Sequence, residues 1–91
     1  MTAGPVLLDR MGMMLEVWRH ESCVAEFGVG YDWATLYTIE SLQPGKGHAT
    51  CLLTDARTYY ESHGKRFAGS VALNSRMRRL YKKLGIKEHN E

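Results

Sequence analysis

In the stretch Gly45-Lys46-Gly47-His48-Ala49-Thr50, residue types and spacing point most plainly to chemistry. Two glycines, one residue apart, stand just before a run with helical spacing. A helix N-terminus exposes unpaired N–H groups at the positive end of the macrodipole, and the two together favour a phosphate. Glycine lets backbone approach phosphate oxygens with no Cβ in the way, and the small Ala49 and the hydroxyl of Thr50 suit the same approach. The spacing is neither that of a Walker A loop nor the GxGxxG fingerprint. A plain glycine turn ahead of a helix is therefore the competing reading.

Charge repeats the theme of an anion. Residues 64–91 carry eight basic side chains against two acidic ones, and residues 1–42 carry six acidic against two basic. The whole chain is nearly balanced at +2, so the polarity is the informative part. It suggests that the C-terminal half meets an anion, with a solvated basic helix face as the equal alternative.

These residues need elements to hold them. Residues 6–9 offer a short strand. Residues 13–20 and 23–29 read as strands joined by a tight turn at Glu21-Ser22, and the segment 28–32 supplies the next turn. Residues 33–42, rich in aromatic, β-branched and threonine residues, have the composition of a buried strand. From His48 onward, Ala49, Leu52, Leu53, Ala56 and Tyr60 recur at helical spacing, with Gly64 as a natural stop. Residues 67–73 read as a strand around Gly69. Asn74-Ser75 then forms an N-cap region, and Met77, Leu80, Tyr81 and Leu84 make an i, i+3, i+4, i+7 stripe closed by Gly85. The order β-β-β-α-β-α predicts a single α/β (α+β) domain over residues 1–91. Its sheet is mixed, mostly antiparallel, with two C-terminal helices.

Composition sets the limits. With 44% hydrophobic and 24% charged residues the chain belongs with globular proteins rather than disordered ones. No run approaches the ~18–20 apolar residues of a membrane span, and residues 1–8 lack the basic region and apolar length of a secretory signal. Two cysteines, Cys23 and Cys51, give neither a disulfide framework nor a CxxC pair. No metal site is expected, and the expected location is cytoplasmic.

The segment Pro44-Gly45-Lys46-Gly47-His48-Ala49-Thr50-Cys51-Leu52-Leu53 resembles the acetyl-CoA-binding motif of GNAT N-acetyltransferases, written Q/R-x-x-G-x-G/A. Further on, Leu73-Asn74-Ser75-Arg76-Met77-Arg78-Arg79-Leu80-Tyr81-Lys82-Lys83-Leu84-Gly85-Ile86 resembles the same family's second motif, an asparagine at a strand end followed by a helix closing on leucine-tyrosine and leucine-glycine. The likeness covers about residues 33–86 and marks the chain as a short, N-terminally truncated member.

The resemblance implies acetyl-CoA, or coenzyme A, as co-substrate. Gly45, Lys46, Gly47, His48, Ala49 and Thr50 would hold the pyrophosphate, while Ile39 or Glu40 would offer main-chain groups to the pantetheine arm. Asn74 takes the place of a polar contact to that arm, beside its N-cap role. Tyr81 matches the tyrosine that protonates the departing thiolate, beside a role in the core stripe. An attacking amine, with a pKa near ~10.4, must first lose a proton. Glu40 is the leading general base, with Glu26 and His20 as alternates.

The expected function is transfer of an acetyl group to an amine of a small molecule or protein. The competing expectation is an inert GNAT-like binding protein, of the kind a phage might encode, docking a host or virion partner. Nucleic-acid binding through Arg76, Arg78, Arg79, Lys82 and Lys83 ranks behind both, since no nucleic-acid motif accompanies the run. A homodimer is expected through Leu15, Val17, Trp18, Val24 and Phe27.

Overall fold

A computed structural model describes residues 6–11, 15–43, 45–72 and 74–88. Met13, Pro44 and Leu73, which the sequence reading used, lie outside them. Five strands form one sheet in the order of the chain: β1 (Val6–Met11), β2 (Leu15–His20), β3 (Cys23–Val29), β4 (Trp33–Ser41) and β5 (Arg66–Gly69). The first four make an antiparallel meander, and β5 joins β4 in parallel. A parallel neighbour needs a crossover, which α1 (His48–Ser62) provides; α2 (Ser75–Leu84) follows β5. The mixed sheet and the two C-terminal helices agree with the sequence. The difference lies at the start, where the short strand over residues 6–9 extends to Met11 and gives the meander four strands rather than three.

Alternation divides the sheet into two faces. One carries Trp18, Ala25, Phe27, Ala34 and Leu36, all buried, and it packs under α1 through Leu52, Leu53, Ala56 and Tyr60. Fully burying a side chain such as Phe27 or Leu53 contributes about 1.5–3 kcal/mol. Met77 and Tyr81 of α2 and Ile86 beyond it extend the same core. Under α1 a polar relay is satisfied: the Trp18 indole donates to the Tyr60 hydroxyl at 2.9 Å, which donates to Glu16 Oε1 at 2.7 Å. Burial and the Glu16 carboxylate both push the Tyr60 phenol well above the usual range.

Both helices stop by the same device. Gly64 and Gly85 are left-handed, at φ 77° and 67°, and the next residues' amides, Lys65 and Ile86, reach back to the carbonyls of Tyr60 and Tyr81. This Schellman closure is why the sequence's glycine stops hold.

On the opposite face lie Val24, Glu26, Gly28, Thr38 and Glu40, with no described helix over them. Trp18 and Phe27 cannot serve the dimer surface expected of them, because both face α1 and are buried there. Leu15, Val17 and Val24 alternate with them and point the other way. Apolar residues stand on both parities of β2, so alternation alone could not choose the inward set.

Cys23 is buried and Cys51 exposed on α1. Burial raises the Cys23 thiol from 9.0 to about 11. A thiol reagent applied to native protein at neutral pH should therefore modify Cys51 alone; rapid modification of both would contradict this packing. The proton on Cys23 is held more tightly in the folded state, so its contribution to stability is complete below pH 9 and is lost as pH rises through 11. The buried phenols of Tyr60 and Tyr81 act in the same direction. Thermal melts should show the midpoint falling across that alkaline window.

Candidate functional site

The pairing of β4 with β5 is brief. It runs from Trp33↔Arg66 to Leu36↔Gly69, is extended by one Ser70 N–H donated to the Leu36 carbonyl at 2.8 Å, and ends there. On the other edge of β4 a bulge intervenes: Leu36 faces Phe27 and Thr38 faces Glu26, leaving Tyr37 as the extra residue. A bulge bends its strand. Past Leu36, β4 runs on to Ser41 against β3 only, while the chain after Gly69 turns off toward α2. The strands fork.

The fork opens on a groove of about 990 Å³. One wall is the last part of β4, Thr38 to Ser41, whose edge toward the fork has no β5 partner. Gly45, Gly47 and the first residues of α1 close one end. The second wall is α2 with its entry, Asn74, Arg76, Arg79, Leu80 and Lys83. Val24 and Glu26 carry the groove onto the uncovered sheet face.

The loop has the geometry of an anion cradle. Gly45 and Gly47 sit at φ 88° and 80°, the left-handed region where side chains are strained. A Cβ added at either would meet nothing within 4 Å. Glycine is thus required here by backbone shape rather than by crowding, and the space over the loop is open. Gly47 is the N-cap of α1, and its carbonyl takes the first helical bond from Cys51 N–H at 3.0 Å. No side chain caps this end and no acid stands in its first turn. The amides of His48, Ala49 and Thr50 precede the first bond of the helix and remain available as donors.

Electrostatics run along the groove. Arg76, Arg79 and Lys83, spaced i, i+3, i+7, line it as one stripe. On the sheet wall Glu26 accepts from Thr38 Oγ1 at 3.0 Å, while Glu40, exposed, stands diagonally beside it. The cations thus stand on the α2 wall and the two carboxylates on the sheet wall.

Most residues picked from the sequence meet here: Ile39, Glu40, Gly45, Gly47, His48, Ala49, Thr50 and Asn74 all line the groove. Asn74 is also the cap of α2, its Oδ1 accepting from Met77 N–H at 2.9 Å. Two of the picked residues fall outside the lining: Lys46, exposed on the loop, and Tyr81, buried on α2. Tyr81 is 5% exposed, its hydroxyl donates to the Ser70 carbonyl at 3.0 Å, and its ring lies so close over Gly69 that a Cβ there would collide with it. Burial holds its phenol above the ordinary range. His20 is set under the start of α1, ring centroid 5.4 Å from that of His48, away from Glu26 and Glu40. Arg76, Arg79 and Lys83 entered the sequence reading only as part of a basic run. Their role as a wall was readable once Met77, Tyr81 and Leu84 had marked the inward side of α2.

Among the described residues no cluster of three or more His, Cys, Asp or Glu could hold a metal, and no helix is long and apolar enough to cross a membrane. Comparison with family models, curated proteins and solved structures finds no match to this chain.

Proposed function

We propose that this protein binds an acyl thioester of coenzyme A in the fork and transfers the acyl group, an acetyl group in the simplest case, to an amine. The fork itself carries the reading: an unpaired strand edge ends at an uncapped, glycine-led helix start and is faced by a basic stripe. The amides of residues 48–50 would donate to the pyrophosphate, with Arg76, Arg79 and Lys83 neutralising the remaining phosphate charge. The free edge of β4 near Ile39 would hydrogen-bond the amides of the pantetheine arm as a neighbouring strand would. The thioester then lies toward Glu40, which takes the proton from the ammonium form of the acceptor. The roles of the loop and of the β4 edge are those that the resemblance to GNAT acetyltransferases implies.

Tyr81 is left out of this scheme. Its hydroxyl is engaged with Ser70, and in this position the phenol supports the fork rather than the leaving thiol. Tyr81→Phe should lower stability by about 0.5–1.5 kcal/mol, the usual worth of such a bond, and leave kcat within a few-fold. A large fall in kcat with an unchanged melting temperature would restore the acid role.

Titration calorimetry with coenzyme A and acetyl-coenzyme A tests the binding half, and thiol release with a panel of amines tests turnover. No heat and no thermal shift at millimolar ligand would remove the proposal. The buried position of Tyr81 favours a second reading, a coenzyme-A-binding interaction protein that does not turn over. Binding without thiol release from any amine would select it.

A further inference from the structure

The basic residues of α2 form two stripes, and the groove uses only one. Arg76, Arg79 and Lys83 face the groove, whereas Arg78 and Lys82, spaced i, i+4, lie on the adjoining side away from it. All five are exposed, the helix contains no acid, and among the described residues none of the five makes an ion pair. Lys82 and Lys83 complement the negative C-terminal end of the helix dipole. Arg78 has no such compensation, and like charges at this density repel one another. A ligand inside the groove neutralises one stripe and leaves the other facing solvent at the groove's rim.

We propose that this outer stripe docks an acidic helix of a carrier domain, which presents the acyl group on its own phosphopantetheine arm. The proposal rests on the thioester groove described above and identifies the donor as protein-borne. The arm's phosphate would reach the amides at residues 48–50 while Arg78 and Lys82 engage carboxylates beside its attachment point. Charge favours a protein over a nucleic acid. The outer stripe is short, two cations one helical turn apart, which matches carboxylates on one face of a helix rather than the extended charge of a phosphate backbone.

Transfer balances without any further reactant. The ammonium acceptor gives one proton to Glu40 and its nitrogen attacks the thioester carbon. The C–S bond breaks as the C–N bond is completed, and the second nitrogen-bound proton passes to the departing thiolate. An amide and a free carrier thiol result.

The test compares a purified acidic acyl carrier domain, with and without its phosphopantetheine arm, against coenzyme A. Binding is measured by calorimetry at low and high salt, to wild type and to an R78E/K82E double variant. The arm-bearing carrier should bind wild type, weaken with salt, and bind the variant at least about tenfold more weakly; coenzyme A should bind both proteins alike. Equal carrier affinity for both proteins overturns the proposal, as does no carrier binding while coenzyme A binds. Binding of duplex DNA in preference to the carrier overturns it too. Failure of coenzyme A itself to bind would instead strike the groove reading.

Discussion

Replacing Gly47 by valine should abolish useful coenzyme A affinity while the protein still folds. The position is left-handed, φ 80° and ψ 5°, and a β-branched residue there is strained by about 1–2 kcal/mol. The loop can relieve that strain by moving out of the left-handed region, since nothing stands within 4 Å of the new side chain. Relief, however, re-aims the amides that follow. Charge-assisted hydrogen bonds contribute about 1.5–3 kcal/mol each, so losing one or two weakens binding by about 10- to 10,000-fold at ~1.4 kcal/mol per factor of ten. Calorimetry with coenzyme A and a thermal melt on the same sample separate the two effects. An affinity within threefold of wild type would show that the loop does not hold the phosphates.

Glu40→Gln should cut kcat with the best amine acceptor by about 100-fold or more, the usual contribution of a positioned base, and leave cofactor affinity alone. Glu40 lines the groove as a carboxylate with no hydrogen-bond partner among the described residues, whereas Glu26 is tied to Thr38. Glu26→Gln should therefore cost less than Glu40→Gln. Glutamine preserves size and hydrogen bonding but cannot take the proton. Raising the pH supplies more free amine and should recover part of the lost rate; a variant with full activity at neutral pH would remove Glu40 from the mechanism.

The two helices were legible because each buries one stripe and ends on a glycine that must turn left-handed; Leu52, Leu53, Ala56 and Tyr60, then Met77 and Tyr81, are buried as their spacing required. The glycine loop was legible for the same local reason. The end of β5 was not. Val71 and Ala72 continue the apolar run, yet the strand stops at Gly69, because its partner bends away at the Tyr37 bulge and no ladder remains to join. Tyr81 was a choice between two partners for one hydroxyl. Its position in the stripe was readable, but the Ser70 carbonyl that accepts its hydrogen bond lies just past the strand that stopped short, and only the fork brings the two together.

The brevity of the β4–β5 ladder also bears on how the molecule opens. Among the described residues, the backbone ties from residues 66–88 to the meander are confined to the four paired positions and the amides of Arg66 and Ser70, beside the side-chain packing of Phe67, Met77, Tyr81 and Ile86. The antiparallel strands, in contrast, are joined along most of their length to neighbours in sequence. Contacts that close long loops form late in folding, and segments with few cross-links open first from the native state. Amide hydrogen exchange should then be faster in β5 and α2 than in β2 through β4. A ligand that spans the loop and α2 binds only while the C-terminal unit is docked, so saturating coenzyme A should slow exchange in β5 and α2 far more than in the meander.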